Sequence, residues 1–446
     1  MTATSPAFSS RLGFILAAAG SAVGLGNIWG FPTQAASNGG GAFVLVYLLM
    51  ILVLAYPTLV AELTIGRLRQ QNPVATMRTM SHKPLWRRTG VIAAVVALAT
   101  LGFILAFYAI VAGWLLGYLF AAVFEIFGQH SVAEWFVSFS IERNLIMMAL
   151  FMVMTVRVVR SGVKEGIERW SKRLMPLLFV LLIAMAIYVL TLPGAWQGLV
   201  MYVTPDFSQV TDPELVIRAM GQAFFSLSIG LCCMMTYGAY LSKDENLPKT
   251  AGWVAGVDSA VALLAGMLIL PAMFAAQDMG VTIYSETGEL LSADTLVFTV
   301  LPAMFDSMGP IGNWIAVAFF VFMVIAAITS SISMLEALVN TIREELSIER
   351  ATAARVLGLV ITGIAATIIY HFDALFGLVI TVTTVYMQPL MAIIFGFFLT
   401  WILRQHLLLK ALQGGAPNIE KTWFWKLWPG YVKFVCPMLI LLVIFV

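Results

Sequence analysis

Apolar residues in this chain fall in long unbroken runs, not in the alternating pattern of half-exposed strands. The runs lie near 11–37, 42–66, 90–126, 144–160, 174–192, 214–241, 252–277, 309–340, 352–370, 374–403 and 429–446. About twenty apolar residues cross a bilayer as a helix, so the pattern predicts eleven spans. An outer-membrane barrel would instead alternate over segments of about ten residues. Three longer connections, 127–143, 193–213 and 278–308, fall on one side, and 292–304 reads as a short surface helix.

Composition agrees. The 446 residues are 61% hydrophobic and only 11% charged, with a mean hydropathy of +0.95. A soluble domain carries roughly 25% charged residues, so a soluble enzyme, a disordered chain and a disulfide scaffold are all excluded. A net charge of +2 excludes a strongly basic nucleic-acid binder. Cys232, Cys233 and Cys436 lie within apolar runs, where free cysteine packs as a small hydrophobe. The first run has the wrong flanks for a cleavable signal peptide. His82 and His406 fall on one side and His130 and His371 on the other, so no histidine cluster suggests an enzyme.

Charge also orients the chain. All but Arg143 and Arg218 of the 25 Lys and Arg residues fall on one side, which the positive-inside rule makes cytoplasmic. The expectation is an all-α polytopic protein of a bacterial inner membrane, amino terminus cytoplasmic and carboxyl terminus outside.

Two predicted spans are interrupted. The first holds Gly20, Gly24 and Gly26 ahead of Pro32, with Asn27 beside the break; the sixth holds Ser226, Ser228 and Gly230 at mid-membrane depth. Gly weakens a helix by roughly 1 kcal/mol relative to Ala, and unwound backbone survives in a membrane only inside protein or lining a cavity. The two breaks occupy corresponding positions in two five-span halves, the pattern of a transporter site at the bilayer midplane. Small-residue packing is the plainer alternative, and Gly20 and Gly24 have its spacing. It leaves Asn27, Ser226 and Ser228 unaccounted for.

The residues at these breaks resemble those of the neurotransmitter:sodium symporter family, specifically its bacterial amino-acid transporters. The matching runs are RLGFILAAAGSAVGLGNIW from Arg11 to Trp29, Phe31-Pro32 and NGGGAF from Asn38 to Phe43. Glu62 with Gly66-Arg67, Phe107-Tyr108 and Trp114 follow, then GQAFFSLSIG from Gly221 to Gly230, SKDEN from Ser242 to Asn246, and Thr329-Ser-Ser331. The resemblance implies two inverted five-helix repeats, 11–192 and 213–404, with discontinuous helices 1 and 6. A linker and an eleventh span follow over 405–446. It also implies sodium-coupled symport of an amino acid by alternating access. A membrane amino-acid sensor on the same scaffold is the alternative. No obligate protein partner is expected beyond the bilayer itself.

By the same resemblance one sodium ion takes the Ala22 carbonyl, Asn27, Ser226, Asp258 and the substrate carboxylate. The second takes the carbonyls of Gly20, Val23 and Ala326 with the hydroxyls of Thr329 and Ser330. Hard oxygen ligands of this kind suit sodium, although a lone mid-helix Thr usually bonds back to its own helix. Many family members place Asn at the position of Asp258 and need chloride. A carboxylate inside a membrane costs about 2.5–3.5 kcal/mol, so Asp258 needs a cation, and chloride-independent transport is expected. An acid snorkelling toward the cytoplasmic end of its span is the competing reading.

The substrate carboxylate is expected at the N–H groups of Leu25 and Gly26 and the Tyr108 hydroxyl, near a half-helix N-terminus. Its ammonium is expected at the carbonyls of Ala22, Phe225 and Ser226 and the hydroxyl of Ser228. Ile104, Tyr108, Phe225, Leu231, Ser330, Ser333 and Met334 line the remaining pocket, which suits a neutral hydrophobic L-amino acid. A proline- or GABA-type substrate stays open. The family's outer ion pair is missing, with Gly30 and Phe376 at its positions, so Tyr108 over Phe225 is the expected outer gate. Ser5 and Phe8 replace the usual inner-gate Arg and Trp, leaving Arg11, Tyr240 and Glu344 as latch candidates. Gly166 and Pro176 are spaced as in a family segment that unwinds toward the second sodium, or else Pro176 starts a helix. Glu62 and Glu336 stand out as acids inside the membrane.

Overall fold

The computed structural model describes residues 11–283 and 296–445, and the regular elements among them are all helical. Eight helices are long and apolar enough to cross a membrane, or up to ten if each of two bent pairs is one span. The pairs are Leu12–Ala22 with Gly26–Ser37, bent by 52°, and His130–Val137 with Ile141–Val159, bent by 83°. The remaining predicted span, 214–241, is not one apolar helix: it is Pro213–Ser226 and Cys233–Ala239, parted at 227–232.

We label α1 (Arg11–Ala22), α2 (Phe31–Ser37), α3 (Gly41–Arg69), α4 (Pro84–Ile126), α5 (Ile141–Val159), α6 (Glu165–Val189), α7 (Pro213–Ser226) and α8 (Cys233–Ala239). Then come α9 (Leu247–Asp278), α10 (Pro310–Leu346), α11 (Arg350–Tyr370), α12 (Phe372–Ile402) and α13 (Trp423–Ile444). At about 1.5 Å per residue, α4 is roughly twice as long as the hydrocarbon core is thick. It packs along α10, the next longest helix, and the two back the breaks.

Glycine sets the close approaches. A Cβ at Gly113 would sit 2.7 Å from the Met148 backbone nitrogen, so α4 and α5 meet nearly backbone to backbone. Gly66 and Gly238 do the same for α3 and α8, where a Cβ on either would collide with a facing carbonyl, Met235 or Leu63. Side-chain caps set several helix starts: Ser140 accepts from Arg143 N, Asp212 from Glu214 N and Asn246 from Lys249 N.

Both breaks fall where the sequence places them. Helix α1 ends at Ala22, Val23 and Gly24 bend the chain, and Gly26–Gly30 forms one π turn leading into α2. Between α7 and α8, Ser228 (φ 52°), Gly230 (φ 81°) and Cys232 (φ 63°) all take left-handed backbone conformations. That conformation costs a non-glycine residue about 1–2 kcal/mol, so the surrounding contacts hold this turn in place. At Gly230 a Cβ would collide with the Gln388 carbonyl of α12, and only glycine fits.

A helix covers Leu296–Ser307, and the first residues of the expected 292–304 lie outside the described ones. Pro176 lies inside helix α6. It therefore does not start that helix, and the chain is not unwound there: Gly166 N–H bonds to the Gly162 carbonyl at 3.0 Å. The three cysteines are free and buried.

Candidate functional site

The side chain of Asn27 is the hub between the breaks. Its Nδ2 donates to Ser226 Oγ at 2.9 Å, to Asp258 Oδ1 at 2.7 Å and to the Asp258 carbonyl at 3.1 Å. Its Oδ1 accepts from Gly24 N–H at 3.0 Å. Ser226 Oγ in turn donates to the other carboxylate oxygen, Asp258 Oδ2, at 2.8 Å. Asn27, Ser226 and Asp258 are all buried, so Asp258 does not snorkel: it turns inward to the breaks. Among the described residues no group of three or more His, Cys, Asp or Glu could hold a metal ion. A carboxylate beside hydroxyl and carbonyl oxygens is a hard donor set, suited to hard cations and not to soft ones.

The second cluster is built on α1 and α10. A Cβ at Gly20 would lie 3.5 Å from Thr329 Cβ, and Ser330 Oγ donates to the Ser21 carbonyl at 3.0 Å. Thr329 Oγ1 bonds back to the Ile325 and Ala326 carbonyls at 3.1 and 3.0 Å. Val23 and Ala326 are buried beside them, and Val23 N–H is taken by the Ala19 carbonyl.

Tyr108 and Phe225 close on the first break from opposite sides. Leu25 N–H donates to the Tyr108 hydroxyl at 3.3 Å. A Cβ at Gly24 would sit 2.9 Å from that hydroxyl and 2.8 Å from Ser330 Cβ, while one at Gly26 would sit 3.1 Å from the Phe225 ring. Ala22, Ile104, Leu231, Ser333 and Met334 are all buried, and Ser333 Oγ donates to the Ser330 carbonyl at 2.7 Å. Ser228 is buried in the second break.

Phe376 joins an aromatic cluster above the site, with ring centroids 6.4 Å from Phe107, 5.7 Å from Trp114 and 4.5 Å from Phe372. At the basic end, Tyr240 donates to Glu336 Oε1 at 2.6 Å, and Arg350 pairs with both Glu336 oxygens. Glu344 lies elsewhere: it pairs with Arg343 and accepts from the Asn72 backbone N–H at 2.9 Å. Tyr240 and Glu344 therefore do not form one latch. Ser5, Phe8 and the Arg11 side chain lie outside the described residues.

Several site residues escaped the sequence reading. Gln222, one helical turn before Ser226, donates to the Gly26 carbonyl at 2.6 Å and fills the space beside Gly30. Its i−4 spacing from Ser226 was the available signal. Tyr47 faces Asp258, Ser226 and Ser259 from α3, without a hydrogen bond of ordinary geometry. Glu62 accepts from Gly230 N–H, and Gln388 donates to the Ile229 carbonyl at 3.1 Å, so both brace the second break.

Known proteins resemble this chain in sequence and fold. A family model described as the sodium:neurotransmitter symporter family matches residues 5–140 and 138–446. The uncharacterized sodium-dependent transporter YhdH of Bacillus subtilis (strain 168) is 36% identical over 452 residues, 98% of this chain and 96% of its own. The human sodium- and chloride-dependent GABA transporter 2 is 26% identical over 378 residues, 75% of this chain and 61% of its own. A crystal structure of MhsT in complex with L-phenylalanine superposes with a TM-score of 0.85 at 38% identity, covering 99% of both chains.

Proposed function

We propose a transport function for this chain, which belongs to the sodium:neurotransmitter symporter family: it couples inward sodium movement to uptake of a neutral hydrophobic L-amino acid, without chloride. The observation that carries this is the meeting of Asn27, Ser226 and Asp258 between two helix breaks. A buried carboxylate needs a cation, and the ion that Asp258 attracts sits where a substrate carboxylate can complete its shell. The first sodium takes the Ala22 carbonyl, Asn27, Ser226 and Asp258. The second takes the carbonyls of Gly20, Val23 and Ala326 with Thr329 and Ser330, once Thr329 gives up its bond to its own helix.

Substrate binds against Leu25, Gly26 and Tyr108 with its carboxylate, and against Ala22, Phe225, Ser226 and Ser228 with its ammonium. The apolar wall of Ile104, Leu231 and Met334, with the small hydroxyls of Ser330 and Ser333, favours an uncharged side chain. The L-phenylalanine held by MhsT is of that class. Tyr108 and Phe225 form the outer gate. Tyr240 contributes to the inner latch through Glu336, with Arg11 and Glu344 as further latch candidates. Chloride dependence, carried in the name of the human relative, is replaced here by the fixed charge of Asp258. The repeats span 11–192 and 213–404, with 405–446 appended, and the basic side faces the cytoplasm of a bacterial inner membrane.

Purified protein in proteoliposomes tests this. Labelled hydrophobic amino acids should accumulate against a gradient when sodium is outside, equally in chloride and gluconate. Tight binding with no sodium-driven accumulation would favour the sensor reading.

A further inference from the structure

A groove of about 680 Å³ opens between α5 and α11, with no lining residue from either break. Its upper walls are apolar: Val153 is 63% exposed and Leu359 74% exposed, both facing the region where lipid chains lie. Its floor is a close helix contact, because a Cβ at Gly358 would press against the Val156 side chain. Three arginines, Arg157, Arg160 and Arg355, line the end of the groove on the basic side of the molecule.

The two helices are antiparallel neighbours at this point, so Arg355 in the second turn of α11 comes level with Arg157 in the last turn of α5. None of the three guanidinium groups has an acidic partner among the described residues; Arg355 donates only to the carbonyl of Ala351 in its own helix, at 3.1 Å. From Arg157 the groove runs down α5 to Ala149, about 12 Å into the membrane at a helical rise. It therefore offers three unpaired cations at the headgroup level above an apolar channel deep enough for much of an acyl chain.

We infer that this groove binds one anionic phospholipid of the cytoplasmic leaflet, its phosphate held by Arg157, Arg160 and Arg355 and one acyl chain laid between Val153 and Leu359. Basic pockets between membrane helices on the cytoplasmic side take anionic headgroups by the same physics. A second copy of the chain fits less well, since a two-fold contact through this groove would bring six like-charged guanidinium groups together. The site is independent of the transport reading and stands or falls without it.

Native mass spectrometry of the full chain in detergent tests it, with dioleoylphosphatidylglycerol and dioleoylphosphatidylcholine as probes that differ only in headgroup. Wild-type protein should retain one phosphatidylglycerol. The triple variant R157Q/R160Q/R355Q should bind it about a hundred-fold more weakly, and R160Q or R355Q alone about five-fold, as expected for basic residues near an anionic surface. All three positions are exposed, and an unchanged unfolding temperature verifies the fold of each variant. Val153→Trp narrows the groove without changing charge and should also weaken retention. Three results would overturn the proposal. They are equal retention of the two lipids, displacement of the lipid by millimolar glycerol phosphate with V153W unaffected, or lipid found on dimers alone.

Discussion

Asp258→Asn is the most informative single change, because it removes a charge and almost nothing else. The amide has the carboxylate's shape, and its oxygen can still accept from Asn27 or Ser226, at the 2.7 and 2.8 Å now seen. What it loses is attraction for the ion. Two unit charges about 4 Å apart at an effective dielectric near 20 interact by about 4 kcal/mol, and more at direct contact. Against this stands the cost of keeping a bare carboxylate in the membrane, about 2.5–3.5 kcal/mol, which the variant no longer bears. The difference leaves about 0.5–1.5 kcal/mol at that separation, or a roughly 2- to 12-fold weaker sodium affinity, and more at direct contact. Sodium titration of labelled amino-acid binding by scintillation proximity measures this directly. The same assay in chloride and in gluconate asks whether a mobile anion recovers the loss, as expected if Asp258 stands in for chloride. Wild-type sodium affinity with no anion effect would refute the role given to Asp258.

Other changes probe separate parts of the site. Tyr108→Phe removes the partner of Leu25 N–H and should raise the KM for uptake about five- to ten-fold, the worth of one hydrogen bond near 1 kcal/mol. Gly24→Ala puts a Cβ within 2.9 Å of both Ser330 and the Tyr108 hydroxyl and should abolish substrate binding by equilibrium dialysis while the purified yield holds. Arg350→Met strands the buried Glu336 and should cost about 3–5 kcal/mol in detergent unfolding; adding Glu336→Gln should recover most of it. Gln222→Leu removes one of two donors to the Gly26 carbonyl, which keeps the Phe31 N–H of the π turn, and should lower affinity without changing the sodium requirement.

Much of this was legible in the sequence, and for identifiable reasons. Glycine clusters beside polar residues in apolar runs have few explanations, so both breaks were placed to within a residue or two. Asp258 was readable because charge is scarce, though only the fold settled its direction: it turns toward Asn27 and away from the membrane boundary. The span count was less legible. Hydropathy averages over a break, so 214–241 reads as one helix although its left-handed turn divides it. Pairings between distant elements were the least legible. Nothing local says that Tyr240 reaches Glu336, eight residues before Glu344 on the same helix, because that choice is made by how α8 lies on α10. Gln222 and Tyr47 were missed for the same reason, being ordinary residues until the fold brings them to the site.

If the chain works by the proposed alternating access, the contacts indicate where the molecule would divide. Helices α3 and α8 meet nearly backbone to backbone at Gly66 and Gly238, and Glu62 of α3 holds the second break at Gly230. Asn27 joins the first break to α7 and α9 through Ser226 and Asp258. These elements cannot move apart without exposing buried polar groups, at about 1–3 kcal/mol for each. Helix α12 also meets the second break backbone to backbone, at Gly230 and Gln388. The links from this unit to α4 and α10 include Leu25 to Tyr108, Ser330 to Ser21 and Tyr240 to Glu336, side-chain hydrogen bonds that water can replace as the seam opens. Under the proposed mechanism the plane of sliding therefore runs between the broken helices and α4 with α10. It passes through the substrate position, so opening on either side frees substrate while leaving the ligands of the first sodium together. Those of the second lie across the seam, on α1 and α10. If the two sodium sites are as proposed, opening that parts Ser330 from Ser21 would dismantle the second before the first, and release of that ion would commit the carrier to the cytoplasmic side.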